Sequence, residues 1–118
     1  YYDKIMDLKN NYGNPYIYLT ENGAEYPYLI EKNGEINDND RIDYFKKYLS
    51  AVKKSIDNGA KVKSYFAWTF MDNFEWALGF EKRFGIVHVD FKTLKRTPTN
   101  SYYFFKTLGE QNTIPIDF

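Results

Sequence analysis

The chain reads as an α/β protein with parallel strands, on three observations. Two apolar runs, residues 16–20 (Tyr-Ile-Tyr-Leu-Thr) and 62–70 (Val-Lys-Ser-Tyr-Phe-Ala-Trp-Thr-Phe), have the β-branched and aromatic composition of strands. Between them, over about residues 41–58, Ile42, Phe45, Leu49, Val52 and Ile56 recur at spacings of three and four, the buried stripe of a helix. Strand, helix and strand of these lengths make a βαβ unit, whose strands run parallel. Both runs also end on side chains that carry chemistry, and in parallel α/β folds ligands bind at the carboxyl ends of the strands.

Taken in order, residues 1–11 put Ile5, Leu8 and Tyr1 on one helical face. The pattern opens without a cap, so it is expected to continue a longer chain. Gly13 and Pro15 stop it. The run 16–20 is expected to be a strand covered on both faces. Asn22-Gly23 ends it, because glycine accepts φ > 0 and asparagine tolerates it. Glu21 is left at the strand's carboxyl edge, a costly place for a charge that is neither used nor paired.

Residues 25–39 are polar, with Asn33, Gly34, Asn37 and Asn39 as turn residues, and form a connection long enough to suggest a functional loop. Asp38 or Asp40 can cap the helix that follows. Lys46, Lys47, Lys53 and Lys54 form its solvated face, and Asn58-Gly59 closes it. Residues 71–85 are irregular, and 86–91 alternate enough for a short strand or half a hairpin. Thr97-Pro98 is expected to open the last helix, with Thr97 as cap and Pro98 in the first turn. Tyr102, Phe105 and Leu108 lie on one side of that helix and Gly109 closes it. No repeat, low-complexity segment or linker interrupts the chain.

Composition narrows the function. The 16 basic and 16 acidic residues cancel, so no field attracts nucleic acid or an anionic membrane. No apolar run approaches the ~20 residues of a bilayer span. With no cysteine and a single histidine, neither a disulfide nor a transition-metal centre is expected, and no cofactor is implied. The sequence assigns no compartment. Aromatic residues make up 20% of the chain. Most pack helices on a sheet, but their apolar faces also suit the faces of sugar rings.

Two stretches carry the chemistry. The first, Leu19-Thr20-Glu21-Asn22-Gly23-Ala24, resembles the nucleophile motif of glycoside hydrolase family 1, the β-glucosidase family, with Glu25 departing from the small residue usual there. The second is Trp68-Thr69-Phe70-Met71-Asp72-Asn73-Phe74-Glu75-Trp76, followed by Gly79-Phe80-Glu81-Lys82-Arg83-Phe84-Gly85. It resembles the same family more specifically, because many positions agree in order. The resemblance implies the last two βα units of a (β/α)8 TIM barrel, in which strands seven and eight end on these motifs. Such a barrel needs about 250 residues, so residues 1–118 would be the C-terminal part of a single barrel domain, incomplete without the preceding strands.

The resemblance also implies roles. Glu21 would be the nucleophile of a retaining β-glycosidase. Trp68 would form the platform under the sugar, Glu75 would accept hydrogen bonds from its 4- and 6-hydroxyls, Trp76 would meet the 3- and 4-hydroxyl edge, and Phe84 would line the same end. A carboxylate suits paired hydroxyl donors, and Glu75 would repel a sugar phosphate; relatives acting on 6-phosphorylated sugars have serine there. Retaining enzymes hold a second carboxyl about 5–5.5 Å from the nucleophile as acid/base. In the family it lies in an Asn-Glu-Pro motif, absent from these 118 residues, so this chain alone is expected to be inactive. Two other readings stay open. One is a myrosinase-like or transglycosylating relative, which the residue at the missing acid/base position would identify. The other is a non-catalytic carbohydrate-binding module using Trp68, Glu75 and Trp76. Asp72 and Asn73 are expected to bond backbone, Arg83 to pair with a carboxylate, and His88 to be structural.

Overall fold

The computed structural model describes residues 1–115 and 117–118. In chain order its elements are α1 (Tyr2–Asn11), β1 (Tyr16–Asn22), β2 (Leu29–Ile30), β3 (Ile36–Asn37), α2 (Asn39–Asp57), β4 (Lys61–Ala67), β5 (Val87–Val89), β6 (Arg96–Pro98) and α3 (Asn100–Gln111). β1 and β4 pair in parallel, from Tyr16 opposite Lys61 to Asn22 opposite Ala67, with irregular register after Ile17 and after Leu19. The helix between them, α2, packs against β4, α1 and α3. The βαβ unit is therefore as expected. Its second strand stops at Ala67 rather than Phe70: Trp68 N–H still reaches Asn22, but from Thr69 the chain pairs with residues 84–87 instead.

The apolar stripe of α2 builds the core. Ile42, Phe45 and Leu49 bury against Ile86, Val87 and Phe104, while Val52 joins Ile5, Ile17 and Ala60. Tyr65 packs on both groups. Phe45 and Phe104 are fully enclosed, and truncating either to alanine would cost about 3–5 kcal/mol. Ile56 is 46% exposed, since the last turn of α2 runs past its neighbours. Leu8 of α1 likewise faces outward, leaving Ile5 as that helix's buried residue.

β1 is not covered on both faces. Ile17 is buried and Leu19 half-buried, but Tyr16 and Tyr18 are 65% and 61% exposed. Among the described residues, neither β1 nor β4 has a second ladder partner, and nothing covers that face of the pair. Lys61 and Lys63 lie over the Tyr16 ring at 5.5 and 4.7 Å.

Four local expectations change. The polar connection contains a small antiparallel hairpin, β2 with β3, which buries Ile36. Asp38 precedes α2 as expected but caps a different helix: its Oδ1 accepts a hydrogen bond from the Ser101 N–H at 2.9 Å, in the first turn of α3. Its other oxygen lies 3.3 Å from the buried Arg41 guanidinium. Thr97 and Pro98 belong to β6, the edge partner of β5, where a missing N–H is harmless. α3 starts instead after Thr99, whose hydroxyl donates to the Ile86 carbonyl at 2.7 Å. Gly109 lies inside α3, and Asn112 ends it at φ 50.

Candidate active site

Glu21 and Asn22 are the last residues of β1, so Glu21 stands on the strand's carboxyl end, exposed. Among the described residues no hydrogen bond or ion pair engages its carboxylate. Its neighbour is tightly held. The Asn22 amide nitrogen donates to the Tyr44 hydroxyl of α2 at 3.0 Å, and the Tyr65 hydroxyl of β4 donates to Asn22 Oδ1. The Tyr44 hydroxyl donates to the Gly23 carbonyl at 3.1 Å. Burial raises the Tyr65 hydroxyl above its ordinary range and pushes Tyr44 up to about 12, so both remain neutral donors.

The two strand ends meet through backbone. Trp68 N–H donates to the Asn22 carbonyl at 2.8 Å. A Cβ added to Gly23 would stand 1.7 Å from the Trp68 carbonyl oxygen, so this approach requires glycine. The Trp68–Thr69 peptide is cis. Beyond it the chain runs beside residues 84–87. Thr69 N–H donates to the Phe84 carbonyl at 3.0 Å, Ile86 N–H to Thr69 at 2.9 Å, and Val87 N–H to Phe70 at 2.9 Å. Phe84 is thus brought against the Trp68–Thr69 turn.

Residues 73–84 form a loop whose two ends are joined by one buried carboxylate. Asp72 Oδ1 accepts from Gly85 N–H at 3.0 Å, and its Oδ2 accepts from Val89 N–H at 3.1 Å and Arg83 Nη1 at 2.6 Å. Arg41, reaching from α2, donates to the Gly85 carbonyl and, at 2.9 Å, to that of Arg83. His88 Nδ1 lies 2.6 Å from the Tyr28 hydroxyl. Burial, then the Arg83 cation, holds His88 below the usual imidazole value, and burial pushes Tyr28 up to about 12. Asp72, Asn73, Arg83 and His88 therefore do what the residue types suggest: Asn73 donates to the Met71 carbonyl at 3.1 Å, and the partner of Arg83 is Asp72.

Within the loop, Glu75 N–H donates to Gly79 at 2.8 Å and the Glu75 carbonyl accepts from Leu78 at 2.9 Å, closing a 3₁₀ turn over Trp76–Leu78. The Glu75 carboxylate, like that of Glu21, has no partner among the described residues. Trp76 has φ 44 and is 82% exposed. Phe74 packs edge-on against Phe80 and Phe80 against Phe91, at 5.5 and 4.7 Å between centroids. Lys82 lies 3.5 Å from Glu25, tying this loop to the one after β1. The result is one sheet edge presenting a free carboxylate on β1, an indole after β4, and a loop bearing a second free carboxylate. A carboxylate can accept hydroxyl hydrogens or act as an oxygen nucleophile, and an indole offers an apolar face and one donor. Among the described residues no group of three His, Cys, Asp or Glu side chains is placed to hold a metal ion, and no helix is long and apolar enough to cross a membrane.

Sequence reasoning missed Tyr44, Tyr65, Tyr28 and Arg41 as supports. One signal was readable: Arg41 sits beside Ile42 and Tyr44 beside Phe45, on the flank of the buried stripe, where an unpartnered cation would be expensive.

The family model described as glycosyl hydrolase family 1 matches residues 1–114. The chain belongs to glycosyl hydrolase family 1. This family 1 chain is 50% identical to Beta-glucosidase 26 of Oryza sativa subsp. japonica over 104 residues, 88% of this chain and 20% of that protein. It is 45% identical to a 6-phospho-beta-galactosidase of Staphylococcus epidermidis over 115 residues, 96% of this chain and 24% of that protein. It superposes on the family 1 β-glucosidase from Thermotoga maritima with a TM-score of 0.93 at 39% identity, covering 97% of this chain and 26% of that one. The chain thus spans a fifth to a quarter of the proteins it matches. Its fold is correspondingly a part of a (β/α)8 barrel, with β1 and β4 as two of the eight strands.

Proposed function

We propose that residues 1–118 are the C-terminal part of a single barrel domain of a retaining β-glycosidase, supplying its nucleophile and part of its sugar subsite. Glu21 attacks the anomeric carbon, forming a glycosyl-enzyme ester as the aglycone leaves. Trp68 lies under the ring, Glu75 accepts hydroxyl hydrogens, and Trp76 and Phe84 close the same end. The acid/base that protonates the leaving oxygen comes from outside these residues. The chain alone is therefore inactive and needs the preceding strands.

The observation that carries this reading is the junction of Glu21–Asn22 with Trp68 across adjacent parallel strand ends, joined by the 2.8 Å bond to the Asn22 carbonyl. The substrate class is the unphosphorylated β-glycosides, with a glucoside first. Relatives of both kinds resemble the chain almost equally, so overall identity does not choose between them. The loop's charges support the unphosphorylated class. Glu75 is an anion that would repel a phosphate, and Arg83 is held by the buried Asp72.

The test is hydrolysis of an aryl β-glucoside and its 6-phosphate by the full polypeptide carrying these residues. The unphosphorylated substrate is expected to turn over, and Glu21→Gln to lower kcat by about four orders of magnitude. Preference for the phosphorylated glycoside would overturn the substrate class, and an active Glu21→Gln the nucleophile.

A further inference from the structure

We propose that Tyr44 and Tyr65 are positioning residues that clamp the Asn22 side chain, fixing the turn beside Glu21 and shielding the Asn22-Gly23 bond from deamidation. The clamp draws on three elements, α2, β4 and β1, and its hydrogen bookkeeping closes. Tyr65 gives its hydroxyl hydrogen to Asn22 Oδ1. Tyr44 gives its own to the Gly23 carbonyl at 3.1 Å and so has only lone pairs left for the Asn22 amide, which donates to it at 3.0 Å. Reversing the amide would set its oxygen against Tyr44, whose hydrogen could then serve it only by abandoning the Gly23 carbonyl. The backbone is blocked as well, by the Trp68 carbonyl against Gly23 and the Trp68 N–H on the Asn22 carbonyl.

Asn-Gly pairs deamidate because a following glycine leaves its own nitrogen unhindered. That nitrogen attacks the asparagine Cγ, a C–N bond forms as the Cγ–Nδ2 bond breaks, and the amide nitrogen leaves as ammonia. Water then opens the succinimide to aspartate or isoaspartate. The attack requires the side chain to swing onto its own backbone. Asn22 is held at both amide atoms and cannot swing. The chain contains two further Asn-Gly pairs that act as internal standards. Asn33-Gly34 lies in an exposed turn with open space around Gly34; the Gly34 N–H donates to the Glu31 carbonyl at 2.9 Å and the Glu35 N–H to Asn33 Oδ1 at 3.0 Å, but the Asn33 amide nitrogen is not held among the described residues. Asn58-Gly59 is an intermediate case: the Asn58 amide donates to the Lys54 carbonyl at 2.8 Å, the Gly59 N–H to the Ile56 carbonyl at 2.8 Å, and the Asn14 amide to the Gly59 carbonyl at 3.0 Å, but the Asn58 Oδ1 is not held among the described residues.

The clamp matters for chemistry because deamidation at residue 22 would create a carboxylate next to Glu21. It would also remove the amide hydrogen that Asn22 gives to the Tyr44 hydroxyl, loosening the turn beside Glu21. This catalytic half rests on Glu21 being the nucleophile; the chemical half does not.

The experiment is peptide mass mapping of the full polypeptide during incubation at mildly alkaline pH, following the gain of about 1 Da at each Asn-Gly pair. Asn22 is expected to convert more slowly than Asn33. Tyr65→Phe should speed conversion at Asn22 by about tenfold, the worth of one lost hydrogen bond, Tyr44→Phe, which loses two, by at least as much, and both should leave Asn33 unchanged. On an aryl β-glucoside the same variants should lower kcat by about tenfold with KM nearly constant. Conversion of Asn22 as fast as Asn33 in the unaltered protein overturns the clamp, and this comparison needs no variant to fold. Tyrosine variants that lose thermal stability without changing the Asn22 rate or kcat reduce the pair to a structural role and also overturn it. An active Glu21→Gln removes the catalytic half alone.

Discussion

Replacing Asp72 with asparagine tests the architecture most directly. The Asp72 side chain is fully buried and accepts three hydrogen bonds on two oxygens. Asparagine is nearly isosteric but keeps one acceptor and turns the other into a donor. If its oxygen faces Val89 and Arg83, the Gly85 N–H loses its partner and meets an NH₂ group. A buried orphaned donor costs about 1–3 kcal/mol. The lost charge partner of Arg83 adds less than about 1 kcal/mol, since that guanidinium is 26% exposed. The sum is about 1–4 kcal/mol, and about 2–7 for alanine, which orphans both N–H groups. The assay is the urea midpoint at constant m-value for the full polypeptide. Asp72→Asn should also raise KM more than it lowers kcat, because the freed loop carries Glu75, Trp76 and Phe84. A loss below about 0.5 kcal/mol would refute the claim that this carboxylate joins the two ends of the loop.

Gly23→Ala should destabilise by at least about 3 kcal/mol and abolish detectable glucosidase activity, because a Cβ 1.7 Å from the Trp68 oxygen forces the strand ends apart; thermal melting and an aryl glucoside assay check both. The depressed pKa of His88 fixes a pH dependence. The folded protein resists protonating an imidazole that the unfolded chain protonates near 6.5, so stability is fully present above that value and falls below it. Facing it are Tyr28, Arg83, Asp72 and Asp90. His88→Gln should flatten the fall in Tm between about pH 7 and pH 5.5.

What was legible in the sequence was periodic or contiguous. The stripe of α2 and the two strand runs repeat often enough to be read, and the segment around Trp68 to Phe84 is continuous. The hairpin of β2 and β3 has two residues per strand, too few for a period. Thr97-Pro98 reads locally as a helix start, and only pairing with Val87 and His88 makes it a strand. Asp38 caps a helix 63 positions away, which local pattern cannot reveal. The same holds within the site. Glu21 could be placed at a strand end from its neighbours, whereas the hydroxyls holding Asn22 come from 22 and 43 residues further on. Supports of that kind are tertiary, and their residue types serve equally well as ordinary core.

The junction of Asn22, Gly23 and Trp68 has a consequence for how such proteins diversify. The end of β1 that carries Glu21, the Trp68 backbone and the chain beyond it are joined through contacts made wholly inside one contiguous stretch of chain. That geometry can therefore be inherited as a block. A recombination crossover upstream of β1 would give this stretch a new set of preceding strands without disturbing the junction of Asn22, Gly23 and Trp68. A crossover between α2 and β4 would instead match one parent's Asn22 with another's Tyr65 and Trp68, and the offspring would survive only where both parents had settled on the same fit.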